Sequence, residues 1–200
     1  MNTIKKIFIL MVCMGGLTVM ESCTNLDEEV YDKVPADEWG KTQEQRDALI
    51  GPLYASLSDY FSHFEALNCV TDEQVAPSRG GDWSEPEWRF MEEHTWPTDY
   101  WQFDGLWTWC YISIARINQQ IAVSDEQTVA ELRALRAFYH YILIDNFGNV
   151  IIADEVESDE TSPQQSSRQQ VYSFIESELL DVLPTLSTDV RANYGRMSKY

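Results

Sequence analysis

SDEQTVAELRALRAFYHYILIDNFG, residues 124–148, decides the fold. Val129, Leu132, Leu135, Tyr139, Ile142 and Leu143 recur at helical spacing, so they share one face of an α-helix running from Ser124 to Asn146. Ser124 with Gln127 fits a capping box at its start, and Gly148 suits its end. Outward from this helix the same period repeats. Upstream, Leu106, Cys110, Ile114, Ile117 and Ile121 mark a helix over Gly105–Val123. Downstream, Val171, Ile175, Leu179 and Leu183 mark one over Ser167–Leu183, opened by a capping box (Ser167, Gln170) and stopped by Pro184. Near the amino end, Leu49, Leu53, Leu57, Phe61 and Phe64 define a face over Thr42–Phe64. Thr42 with Gln45 caps it, and Gly51-Pro52 predicts a kink or restart inside it. The linkers are polar, and no run alternates long enough to argue a sheet. The expected fold is all-α: stacked antiparallel helix pairs with a long aromatic-rich irregular loop between the first two helices.

The amino terminus carries an export pattern. Lys5 and Lys6 charge the first residues, and Ile7–Leu17 is apolar but shorter than the ~20 residues a membrane-spanning helix needs. Ser22 then precedes Cys23. This resembles the lipobox of bacterial lipoproteins, although Met20 stands where Leu is usual and Glu21 where a small residue is expected. On this reading residues 1–22 are a lipoprotein signal peptide, Cys23 is the lipidated first residue, and 23–41 form an extended acidic tether. A plain secretory signal that ends near a cysteine is the alternative.

Loss of Lys5, Lys6 and Glu21 leaves 12 basic and 32 acidic residues, a net charge of −20. That argues against nucleic acid and against electrostatic adhesion to anionic lipid, and it suits a neutral ligand or a basic partner. Cys69 and Cys110 can form a disulfide outside the cytoplasm or remain two buried thiols. No spacing of His or Cys suggests a metal site, and no cofactor is expected.

Six of the seven tryptophans (Trp83, Trp88, Trp96, Trp101, Trp107 and Trp109) fall within a span of 27 residues, with Phe90, Tyr100 and Phe103 among them. They can form a stacking platform, because pyranose C–H faces pack on indole rings while neighbouring polar groups read the hydroxyls. They can instead pin the loop to the core, which suits Trp107 and Trp109 at the start of a helix. Exposure discriminates: a glycan binder leaves an indole face open beside polar groups, and a scaffold buries them all. An enzyme finds little support. Asp72 and Glu73 are sequence neighbours, as are Glu92 and Glu93, so neither pair can flank a bond from about 5 to 10 Å apart. His94 has no motif partner and reads as a packed or hydrogen-bonded residue.

Ordered motifs across the chain then converge. Thr71-Asp72-Glu73 with Pro77-Ser78-Arg79-Gly80-Gly81-Asp82-Trp83, His94-Thr95-Trp96, Ile114-Ala115-Arg116-Ile117-Asn118, Leu132–Tyr139 with Phe147-Gly148-Asn149-Val150, Arg168–Leu180 and Tyr194-Gly195-Arg196 together resemble the SusD/RagB family of outer-membrane lipoproteins. Asn149 replaces the family's usual Asp, and Ile151 stands where Pro is common. The resemblance implies a helical domain with tetratricopeptide-like units over 42–200, and a lipid-anchored protein on the outer face of the outer membrane. Its oligosaccharide would pass without cleavage to a SusC-like TonB-dependent transporter. Asp27-Glu28-Glu29 resembles the surface-export signal of such proteins. Asp72 and Arg79 are the polar ligand candidates, with bracing of the Gly80-Gly81 turn as their other role. Trp83 and Trp96 are the stacking candidates, and Asp99 is a further one. Family members are longer, so this chain resembles their amino-terminal portion, with part of the ligand surface contributed by the remainder.

Overall fold

The computed structural model describes residues 42–77, 87–156 and 163–200, all within one unit, Gly40–Tyr200. Segments 1–22 and 23–41, with Cys23, lie outside these residues, as do Arg79 and Trp83. The described chain is all-α: α1 Gln43–Ala55, a 3₁₀ turn Ser56–Ser58, α2 Asp59–Asn68, α3 Glu87–Glu93, α4 Trp101–Ile121, α5 Glu126–Phe147 and α6 Arg168–Val182. Among the described residues the only β pairing is an isolated bridge between Val150 and Ser166.

Helix α5 sits at the centre. Leu132, Leu135, Tyr139, Ile142 and Leu143 are buried as the periodicity predicts, but so are Ala130, Ala134, Ala137, Glu131, Arg136 and His140 on its other sides. Helix α4 lies antiparallel on one flank, with Trp107 against Phe147 at one end and Asn118 bonded to Arg136 near the other. Helix α6 lies antiparallel on the next flank, and its register runs from Arg133–Asp181 through Arg136–Glu178 and His140–Phe174 to Asp145–Arg168. The main core joins Leu106, Ile114 and Ile117 of α4 to these α5 side chains, to Val171 and Ile175 of α6, and to Ile50 and Leu53 of α1. Stacked antiparallel pairs are therefore the architecture.

Several helix ends differ from the sequence expectation. The capping boxes at Thr42–Gln45 and Ser167–Gln170 form. The one at Ser124–Gln127 does not: the Ser124 hydroxyl donates back to the Gln120 carbonyl oxygen (2.7 Å), and Asp125 caps α5 by accepting from the Thr128 N–H (2.9 Å). Pro52 lies inside α1, and the break comes later, at residues 56–58. There the Ser56 and Ser58 hydroxyls bond the carbonyls three residues back, which tightens the turn. The Trp109 indole N–H donates to the Ser56 carbonyl (3.2 Å), so α4 fixes the bend. Helix α4 starts four residues before the expected Gly105, and the aromatic stretch also holds α3, so this stretch is only partly irregular. Gly148, at φ 75°, ends α5 as expected.

The segment after α5 runs across α4 and α5 as a tethered strap. The Ile151 N–H donates to the Tyr111 hydroxyl (2.8 Å), which donates to the Ile151 carbonyl (2.9 Å). Asn118 donates to the carbonyls of Ala153 and Glu155, and Arg136 to that of Asp154. Asn149, the family-divergent residue, accepts from the Arg168 N–H (3.2 Å) and so satisfies an open donor at the start of α6. The last residues return to α1: the Arg196 guanidinium grips both oxygens of Glu131 (2.7 Å each) and Asp47 (2.6 Å), while the Met197 N–H donates to the Tyr54 hydroxyl (2.8 Å). Cys69 and Cys110 are free, buried thiols in separate apolar clusters. Burial pushes the Cys110 thiol up to about 12 and also raises that of Cys69, so neither is a reactive thiolate.

Candidate functional site

The aromatic segment folds around a satellite cluster of Cys69, Met91 and Tyr100, against which Trp88, Phe90, Trp96 and Phe103 pack. Trp96 is half-buried, its ring edge-on to Phe103 (5.3 Å) and tilted against His94 (5.5 Å). His94 takes a positive φ of 55°, a conformation that costs a non-glycine residue of order 1 kcal/mol or more. Its Nε2 donates to the Val70 carbonyl oxygen (3.0 Å). This single side chain thus ties the turn that carries Asp72 to the stretch that carries Trp96. Asp72 itself is exposed on the turn following α2. Asp99 is exposed on the turn that leads into α4.

Asp99 lines an open cleft of about 490 Å³ together with Trp101, Asp104, Trp107 and Phe147. Trp101, Asp104 and Trp107 are three residues apart on α4, which places them along one side of the helix. The Trp101 indole is 54% exposed. Trp107 is half-buried, its ring edge-on to Phe147 (5.1 Å), and it forms the inner wall. The cleft therefore offers an open indole face beside two exposed carboxylates, and no Lys or Arg lines it among the described residues. Trp109, by contrast, is structural: it stacks on Tyr60 (5.8 Å), meets Tyr139 edge-on (5.0 Å) and bonds Ser56.

Of the expected ligand residues, Trp96 packs on Phe103, and Phe103 lines the cleft together with Asp99. Asp72 stands two residues after Val70, whose carbonyl His94 binds. Trp101 belongs to the tryptophan series that can form a stacking platform but, like Asp104 and Phe147, is not among the residues the sequence singles out for the ligand. The spacing 101–104–107 was the available signal, and it is hidden when the helix is started at Gly105.

The polar groups around α5 make a second concentration of charge. Arg136 is buried, donating to Glu178, Asn118 Oδ1 (2.8 Å) and the Asp154 carbonyl, with its guanidinium 5.8 Å from the centre of the Phe174 ring. Arg133 joins Glu178 (2.6 Å) to Asp181. Burial would raise the Glu178 carboxyl, but hydrogen bonds from the two arginines outweigh it and hold the group below its usual value. His140 Nδ1 donates to the Arg136 carbonyl (2.9 Å), and Nε2 accepts from the Ala153 N–H (3.3 Å). This fixes the neutral tautomer, and burial lowers its pKa to about 4. Every one of these charges is spent on joining helices and the strap, so the network braces the scaffold. Among the described residues, no cluster of three or more His, Cys, Asp or Glu is placed to hold a metal ion, and no helix is long and apolar enough to cross a membrane.

Comparison with known proteins agrees with this architecture. The family model described as "SusD-like: Starch-binding associating with outer membrane" matches residues 26–200. A SusD-like protein from Bacteroides fragilis superposes with a TM-score of 0.69 at 21% identity, over 84% of this chain and 35% of its own. A laminarin-binding SusD-like protein gives a TM-score of 0.64 at 24% identity, over 80% and 38%. Surface glycan-binding protein A from Bacteroides uniformis gives 0.64 at 21% identity, over 79% and 39%. The chain thus spans little more than a third of each of these structures. No match is found among curated protein sequences. With the family model covering nearly all of the chain and the helical fold shared, this protein belongs to the SusD-like family.

Proposed function

We propose that the protein captures oligosaccharide at the cell surface, held by lipid on Cys23 to the outer membrane, and passes it without cleavage to a SusC-like TonB-dependent transporter. The observation that carries this reading is the cleft at the start of α4: a half-exposed Trp101 beside Asp99 and Asp104, with Trp107 and Phe147 as its inner wall. An indole face stacks on the C–H face of a pyranose, and a carboxylate accepts from adjacent hydroxyls. Trp96, and Asp72 on the turn that His94 ties down through the Val70 carbonyl, extend the surface, while Arg79 and Trp83 are assigned to the same ligand on the family resemblance alone. A purely structural scaffold has no use for an open indole. The family description as starch-binding, and the names of the laminarin-binding and glycan-binding relatives, support the same ligand class.

Titration calorimetry of the full chain tests the reading against a panel of α-1,4-glucans, β-1,3-glucans, β-1,4-xylans and β-1,4-mannans. Heat of binding is expected with at least one of them. Trp101→Ala should weaken that binding by about tenfold, the upper range for losing one stacking face. Silence across the panel, or full affinity without Trp101, would sink it.

A further inference from the structure

A second cleft, of about 450 Å³, opens between α5 and α6. Tyr141 and Tyr172 line it, 52% and 51% exposed, with the buried Ile144 between them as an apolar floor. Asp145, Arg168 and Gln169 supply acceptors and donors at its rim, and the Asp145–Arg168 separation of 3.8 Å leaves both side chains largely in solvent. Neither tyrosine belongs to the core, although the Tyr141 ring stacks on Phe138 (6.4 Å), which packs against it.

The antiparallel order of the stack makes the position of this cleft informative. The start of α4, the end of α5 and the start of α6 lie at one end of the stack, because Trp107 meets Phe147 and Asp145 meets Arg168. Both clefts therefore flank the last turns of the same helix, Phe147 belonging to one and Tyr141 to the other. Neighbouring helix axes are about 8–10 Å apart, so a chain of several sugar units can reach from one cleft to the other. Half-exposed aromatic rings, set beside hydrogen-bonding groups and repeated on both sides of one helix end, suit an extended, repetitive ligand.

We infer that Tyr141 and Tyr172 form a second saccharide subsite, and that the two clefts together engage successive units of one neutral oligosaccharide across the end of α5. This rests on the capture reading above. It makes chain length, rather than a single ring, the basis of affinity, since two linked contacts bind as one ligand with a high effective concentration.

The panel backbones, each as trisaccharide and heptasaccharide, test it by titration calorimetry on the full chain. For the backbone that binds, the heptasaccharide should bind at least tenfold more tightly than the trisaccharide. Tyr141→Ala combined with Tyr172→Ala should reduce heptasaccharide affinity to the level of the trisaccharide, with an unchanged circular dichroism spectrum because both side chains are exposed. Equal affinity for the two lengths, or a length gain that survives in the double variant, overturns this inference while leaving capture at the Trp101 cleft intact. Absence of heat with every oligosaccharide overturns both.

Discussion

The α4–α5–α6 stack and the aromatic segment before it are built from opposite materials. In the stack, polar and charged groups are buried and mostly bonded: Arg136, Glu178, Glu131 and His140 are all under a tenth exposed, and each bonds a segment outside its own helix, with only the Arg136 Nε unpartnered among them. In the aromatic segment, rings meet edge to face with few polar anchors, and the series grades from buried Tyr100 through half-buried Trp96 to open Trp101. Directional bonds fix a register and leave few polar atoms over for a ligand. Ring contacts fix position less tightly and leave faces free. The first region is therefore the frame and the second the surface that the frame presents.

The largest expected effect is on the frame. Glu178→Leu leaves Arg136 buried without its carboxylate, which typically costs about 3 to 5 kcal/mol. Urea denaturation should show that loss, and a change below about 1 kcal/mol would mean that the network is not what joins α5 to α6. A companion double variant, Arg136→Met with Glu178→Leu, should recover much of the stability, because it removes both buried charges together.

The next effect is a pH dependence confined to the frame. His140 titrates near 4 when folded against an ordinary value of 6.5, through burial first and then the nearby Arg136 charge. The hydrogen bond to the Arg136 carbonyl and the carboxylates of Asp154 and Glu178 oppose that shift. The unfolded chain binds the proton first on acidification, so stability is full above pH 6.5 and falls as pH drops toward 4. The total loss is on the order of 3 kcal/mol, from 1.36 kcal/mol per pKa unit. His63 is also held low by burial and adds to the same window. Glu178, held below its ordinary 4.5, contributes loss only at lower pH. The difference between wild type and His140→Gln from pH 6.5 to 5 therefore isolates His140. If both proteins lose stability equally over that range, the imidazole is not the neutral tether of the strap.

What was legible in the sequence follows the same division. Helix periodicity reads apolar residues, so α5 was found from Leu132, Leu135 and Tyr139, and the all-α stack followed. The same pattern treats Arg136 and His140 as a solvent face. They are buried because α5 is covered on several sides and because partners on α4, α6 and the strap meet their polar atoms, which no single-helix pattern encodes. Helix α3 has seven residues, too few for a period to declare itself. The start of α4 was obscured by its own aromatics, which resemble loop residues until the 101–104–107 spacing is seen. Ordered motifs point to the family, and with it to Trp96 as a stacking candidate, while Asp99 is a candidate only by its place three residues on. The open face of Trp101 depends on what packs nearby, which only coordinates supply.

The smallest effect sharpens the contrast within the aromatic segment itself. Trp96 wedges against Phe103 and His94 and belongs to the satellite cluster, whereas Trp101 makes an edge contact with Tyr100 (6.2 Å) and leaves about half its surface to water. Truncation of a fully buried tryptophan costs about 3 to 5 kcal/mol. Half-burial brings Trp96→Ala to about 2 kcal/mol, while Trp101→Ala should stay within about 0.5 kcal/mol, as for other surface changes. Chemical denaturation of the two variants side by side measures the gap. Should Trp101→Ala prove as destabilising as Trp96→Ala, the indole is a structural wedge, and the cleft loses the feature on which its proposed role as a ligand surface rests. A stable Trp101→Ala protein that fails to bind an oligosaccharide the wild type binds would instead separate recognition from folding at a single side chain.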